Sequence, residues 1–215
     1  MRKNYLLHAL ALALLSPLPL NAQKYTNAMK EIVEDGVRWM VRYNEEGQLV
    51  MKYQHEHGVF HGKSIEFYES GIIRAEGFFT KGTPTGSWRT YYESGKVRAN
   101  YTLKQLPTGP GKVGPFLWYY ENGNVMEQSN YVEGLAQGEY LKYHESGGLS
   151  VKGQYMNGLK EGEWVDFNED GVVVLKGVYT RNAKTGDWTR YYDDGTWQCT
   201  TTYEMDTIKK EVCKN

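Results

Sequence analysis

Three scarcities narrow the field before any motif is considered. The formal charge is only −1, with Lys+Arg 25 against Asp+Glu 26, and the two signs are interspersed. So even a balance gives no electrostatic basis for holding nucleic acid or an anionic membrane surface. Cysteine is limited to Cys199 and Cys213. Both lie near the C-terminus, where they either pair and pin the tail to the last repeat or stand as two free thiols. Beyond residue 22 no stretch has the periodicity of an amphipathic helix of useful length. Catalytic spacing is missing as well: no nucleophile stands at a recognisable distance from a base, and no glycine-rich loop opens a helix. The chain is therefore read as non-enzymatic and without a cofactor.

The first 22 residues have the features of a secretory signal. Arg2 and Lys3 precede an apolar run from Tyr5 to Leu15, broken by Pro17 and Pro19, and Ala22 supplies a small residue at the cut. The run is too short for a comfortable transmembrane helix, although an uncleaved anchor is the competing reading. Removing this segment takes two of the 25 cations and no acid, leaving 23 against 26 and a net −3. The expected location is outside the cytoplasm: periplasm, outer envelope or secreted.

What is present is repetition. Glycine returns at Gly47, Gly71, Gly95, Gly123, Gly147, Gly171 and Gly195, in steps of 24, 24, 28, 24, 24 and 24. A second series, Gly62, Gly86, Gly114, Gly138, Gly162 and Gly186, precedes the next glycine of the first by 9 residues each time. Such a step is the signature of a tandem array. The first glycine ends a turn written YESG, YENG, YHESG, FNEDG or YDDG, suited to a hairpin loop with positive φ. An apolar residue follows two positions later (Leu49, Ile73, Val97, Val125, Leu149, Val173, Trp197). Eight positions on stand His55, Phe79, Leu103, Tyr131, Tyr155, Tyr179 and Tyr203, on the same strand face.

The next strand is expected to start at the second glycine. Two residues after it come Trp88, Phe116, Tyr140, Trp164 and Trp188, with Ser64 the exception. Five residues after it runs an unbroken column, Phe67, Tyr91, Tyr119, Tyr143, Phe167 and Tyr191. These offsets have opposite parity, so aromatics lie on both faces unless a bulge brings them to one. The fold class is all-β: an elongated single-sheet meander of tandem antiparallel hairpins, about thirteen strands spanning roughly 60 Å. The expected organisation is a signal at 1–22, an irregular N-terminal cap and half repeat at 23–47, the array at 48–203 and a capping tail at 204–215 that shields the last edge.

The segments GSWRTYYESGKVRANY, GEYLKYHESGGLSVKGQYMNGLKEGEW and GDWTRYYDDG resemble the MORN repeat, most closely the bacterial variant associated with YwqK-type antitoxins. The likeness spans about residues 36 to 203. It implies a β-hairpin array used for contacts with protein or membrane, an antitoxin-like role, and no catalytic residues. Choline- and glucan-binding repeats share the Gly-Trp start and the Tyr-Tyr pair, but their unit is shorter than 24 residues. The tyrosine–aspartate repeats of toxin shells share the YDDG turn in far longer arrays.

Candidate sites are the positions that escape the period. His55, His57 and His61 have metal-binding chemistry, yet His55 fills the slot of Phe79 and Tyr131, and no further ligand completes a set; the structural reading is preferred. Acidic pairs such as Glu45/Glu46 and Asp193/Asp194 belong to turns, where they satisfy local backbone donors. Four residues after the second glycine, Glu66, Thr90, Trp118, Lys142, Asp166 and Arg190 vary in charge and shape while their neighbours stay constant. That row is either a partner-facing surface or an unconstrained solvated one. Residues 104–113, KQLPTGPGKV, hold the four-residue excess in the period; a tolerated insertion and a protruding contact loop are the two readings. The expected partner is a protein of unspecified identity, with membrane or glycan contact, including carbohydrate or choline-type binding by exposed aromatics, as the alternative.

Overall fold

A computed structural model describes residues 29–214; the signal at 1–22 and its cut lie outside them. The described residues form seventeen strands and no helix. The chain divides into two compact units, Met1–Gly111 and Lys112–Asn215. The first contains β1 (Met29–Glu34), β2 (Val37–Tyr43), β3 (Leu49–Glu56), β4 (Val59–Phe67), β5 (Ile73–Thr80), β6 (Thr83–Tyr91) and β7 (Val97–Leu106). The boundary falls within β8 (Gly109–Tyr119), after which come β9 (Val125–Val132), β10 (Leu135–Ala136), β11 (Gly138–Tyr143), β12 (Leu149–Met156), β13 (Leu159–Phe167), β14 (Val173–Thr180), β15 (Ala183–Tyr191), β16 (Trp197–Glu204) and β17 (Thr207–Cys213). Within each unit consecutive strands pair antiparallel, and β10 and β11 share β9 as partner. The all-β meander of tandem hairpins is the observed architecture.

Two kinds of turn alternate. At the first, Tyr68 N–H donates to the Ile72 carbonyl (2.8 Å) and Gly71 N–H to the Tyr68 carbonyl (2.9 Å), with Gly71 at φ 82°. The left-handed glycine closes the loop without a Cβ penalty, and six further loops repeat the pair of bonds. The second turn has two residues, both at positive φ, as in Lys81 (49°) and Gly82 (81°). Both turns also reach the neighbouring repeat. Tyr68 Oη donates to the Tyr91 carbonyl and Tyr120 Oη to the Tyr143 carbonyl, each at 2.8 Å, while Gly82 N–H donates to the Phe60 carbonyl and Gly158 N–H to the Ala136 carbonyl, again at 2.8 Å. Neighbouring repeats are thereby tied together at both kinds of turn.

The second glycine does not start a strand, as its spacing suggested. It sits inside one, at a bulge: Gly86 is the fourth residue of β6, and the register with β5 slips between Glu76 and Phe78. Gly77 is thus left opposite Gly86, Ser87 and Trp88, and the Trp88 indole folds down over it. A Cβ built on Gly77 would overlap that ring, and Gly153 under Trp164 and Gly177 under Trp188 are in the same position. In the first repeat the sizes are exchanged: Tyr53 is the large residue and Ser64, directly paired with it, the small one. Ser64 is 1 % exposed and its hydroxyl has no hydrogen-bond partner, so serine stands there for its size. The apparent exception at Ser64 is a volume exchange between two strands.

From offset two to offset four the pairing is consecutive (Trp88–Tyr101, Arg89–Asn100, Thr90–Ala99), and the shift before offset five falls on the partner strand, so side chains alternate along β6 and aromatics occupy both faces. One face carries linked rings: Tyr53, Phe60, Phe79 and Trp88 in the first unit, and Tyr140, Tyr155, Trp164, Tyr179 and Trp188 in the second. The other face pairs each offset-five aromatic with the apolar residue beyond the turn, Phe67 with Ile73, Phe167 with Val173 and Tyr191 with Trp197. There Val41, Ile65 and Trp39 make a small buried cluster.

Three local expectations change. Residues 29–43 are a regular hairpin, β1 with β2, rather than an irregular cap, because Asp35 and Gly36 make the same two-residue turn as the repeats. The excess at 104–113 is not a protruding loop. It lengthens β7 to 10 residues and β8 to 11, against 8 and 9 in β5 and β6, and the turn itself stays short. The tail is strand β17, all of it exposed, paired with β16 and joined to it by the Cys199–Cys213 disulfide.

Substituting Gly77 by Ala is expected to cost about 1–3 kcal/mol through overlap with Trp88. The pair Gly77→Tyr with Trp88→Ser copies the first repeat, and its urea midpoint should lie well above that of Gly77→Tyr alone. Replacing both cysteines by serine should abolish hydrogen-exchange protection in residues 207–213 while leaving β12 to β14 protected, since seven exposed residues have little else to hold them. Undiminished protection in β17 would show the bridge to be dispensable.

Candidate interaction face

The row of irregular residues becomes a line across the ring-bearing face of each unit. In the first unit it reads Arg42, Met51, Glu66, Ala75, Thr90, Ala99, each in register with the next. In the second it reads Trp118, Glu127, Lys142, Val151, Asp166, Leu175, Arg190, Cys199. Glu66 is engaged by Arg74 at 2.7 Å. Lys142 and Arg190 are exposed, whereas Trp118, Thr90 and Asp166 are half-buried. Burial pushes the Asp166 carboxyl above the usual carboxylate range, and Lys160, Lys184 and Lys142 pull it back.

A second set of residues on this face escaped the sequence reading. Lys112, Lys160 and Lys184 each stand two residues before a second glycine and lie over two rings. Lys112 Nζ is 4.0 Å from the Phe116 centroid and 4.8 Å from Tyr131. Lys160 is 4.2 Å from Trp164 and 4.9 Å from Tyr179, and Lys184 is 4.4 Å from Trp188 and 5.2 Å from Tyr203. Each is a cation–π contact with the lysine stem laid along apolar surface. Burial holds the Lys112 and Lys160 ammonium groups below the usual lysine range, opposed by Glu127 and Asp166 respectively. The position reads Phe60, Pro84, Lys112, Ala136, Lys160 and Lys184, so the recurrence was visible; starting the strand at the second glycine left these lysines in a turn, whereas they lie in the strand, on the face of the offset-two rings.

Glu127 was also missed. Four residues after the first glycine the other repeats have Met51, Ala75, Ala99, Val151, Leu175 and Cys199, so a lone carboxylate there departs from an apolar row. Ser129 Oγ donates to it at 3.4 Å and Tyr140 Oη at 3.4 Å. Burial, then the Glu127 charge, raise the Tyr140, Tyr131 and Tyr155 hydroxyls above the ordinary tyrosine value.

The histidines are not gathered into a site. His55 Nδ1 accepts the Gly58 N–H at 3.4 Å and its Nε2 faces Glu31 at 3.9 Å. His61 Nδ1 accepts the Lys81 N–H at 3.4 Å and its Nε2 faces Glu56 at 3.7 Å. Among the described residues no three His, Cys, Asp or Glu side chains are placed to hold a metal ion.

Comparison with known proteins follows the hairpins closely. The MORN repeat variant matches residues 60–81, 84–105, 112–133 and 136–157. Each matched segment begins at the offset that carries Phe60, Pro84, Lys112 or Ala136, and runs through one strand, a first turn and the next strand. No curated protein matches the chain. Among solved structures, a Bacteroides fragilis protein with unknown function is similar at 12 % identity over 86 % of this chain and 90 % of its own, with a TM-score of 0.12, too low to support any inference. Segments 160–181 and 184–205 continue the same registers. Residues 60–157 hold four tandem copies of the MORN repeat variant, and such an array is a repeat-based binding scaffold.

Proposed function

We propose that the chain is an exported, non-enzymatic scaffold that holds a protein partner on the ring-bearing face of residues 112–214. The observation that carries this reading is the in-register line from Trp118 to Arg190. It departs from the repeat at every second strand, while the rings beside it keep their identity to support the sheet. A side chain required to cover a glycine cannot vary without loss of stability, so specificity falls to the positions with no such duty. Export is supported by the signal-like segment 1–22 and fits a chain whose two cysteines are bonded. An immunity-like role, with a toxin as the partner, belongs to the same reading and rests on the resemblance to the antitoxin-associated variant.

Sugar or choline-type binding by open aromatics has less support. Trp164 and Trp188 are 4 % and 5 % exposed, and the cation positions over them are filled by Lys160 and Lys184. A photo-crosslinking residue placed at Lys142 in cells should capture one protein, and the same residue at Val165, on the opposite face, should not. Equal capture from the two faces would remove the assignment of the binding surface. A periplasmic or extracellular fraction free of the protein would remove the export.

A further inference from the structure

The ring-bearing face of the second unit is cationic on a chain that is not. Lys112, Lys142, Lys160, Lys184 and Arg190 share it with Glu127, Asp166 and Glu211, and Asp206 lies at its edge against Lys184, five cations against four carboxylates, whereas the whole chain has a formal charge of −1. The cations are also spaced by the repeat. Lys160 and Lys184 occupy equivalent places two strands apart, about 10 Å at ~4.8 Å per strand, and Lys112 lies four strand positions from Lys160. Ala136 fills the intervening place in the row.

We infer that this face binds an acidic polypeptide segment, extended across the strands, with carboxylates meeting Lys112, Lys160 and Lys184. The inference rests on the scaffold reading and names the chemistry of its partner. A segment in the polyproline II conformation advances ~3.1 Å per residue with three residues per turn, so every third side chain recurs on the same side at about 9 Å. Carboxylates at i, i+6 and i+9 therefore fall opposite Lys112, Lys160 and Lys184, and i+3 falls opposite Ala136. The rings hold each ammonium in place before a ligand arrives, which lowers the ordering cost of the contact. The partial desolvation of Lys112 and Lys160 makes an incoming anion a favourable exchange for lost water.

The same observations weigh against two other occupants. A second copy of this chain would bring one cationic surplus against another. A glycan would need open ring faces for stacking, and the indoles here are buried beneath lysine.

The test uses the full chain and three labelled probes of equal charge in fluorescence anisotropy. The first is a 12-residue peptide of four Glu-Gly-Ser units, the second has the same composition with its glutamates contiguous, and the third is an oligogalacturonate. The periodic peptide should bind roughly tenfold more tightly than the contiguous one, and more tightly at low salt. The double substitution Lys160→Met and Lys184→Met keeps the stems over the rings and removes the charges. It should weaken the periodic peptide by roughly tenfold or more, with an unchanged circular dichroism spectrum and melting temperature. Equal binding of the two peptides, indifference to the double substitution, or tighter binding of the oligogalacturonate each overturns the inference. Should a protein still crosslink at Lys142 while the acidic peptides fail, the acidic-segment inference falls and the scaffold reading stands.

Discussion

A sheet with no second layer must bury its large side chains against itself, and here it does so by laying an aromatic ring over a glycine on the preceding strand. Within each unit the described strands lie in one layer, so among the described residues of a unit no helix or facing sheet receives Trp88, Trp164 or Trp188. The bulge at the second glycine supplies the solution. It leaves Gly77, Gly153 and Gly177 opposite three residues each rather than one, and the third of these, the tryptophan, folds down into the space. Burying most of an indole in this way contributes on the order of 2–3 kcal/mol per repeat. The register, the bulge and the glycine are consequently one device.

That device sets where variation is tolerated. Exchanging the volumes, as Tyr53 and Ser64 do, is permitted because the pair still fills the same space. Offset-five aromatics are bound in the same way to the apolar residue across the first turn, and the turn residues are bound to the backbone of the neighbouring repeat. Once these positions are accounted for, the ring-bearing face retains three rows with freedom to differ between repeats: the line through Glu66 and Asp166, the row of Lys112, Lys160 and Lys184, and the position that is Glu127 in one repeat and apolar in the others. Apart from Glu211 on β17, the charge on the second unit's ring-bearing face comes from those rows.

Much of this was legible in the chain before folding. The period, the hairpin order, the first turn and the separation of aromatics into two columns follow from glycine spacing and strand parity. Less legible was anything that depends on the bulge. Residue spacing alone could not tell a glycine that opens a strand from one that interrupts it, since both need positive φ and both follow turn-like residues. Misplacing that glycine hid the lysine row, which was left in a turn instead of in the strand. The segment 104–113 misled for a related reason. Two prolines and two glycines read as a loop, yet the four extra residues add two to each strand and leave the turn short.

Alternation along each strand keeps the second unit's rings, lysines and charged line on one surface. The same logic explains why the disulfide lies where it does: Cys199 continues the charged line past Arg190, and Cys213 is its direct neighbour on β17. Along that row, the last place that varies from repeat to repeat is occupied by a covalent bond that closes the array.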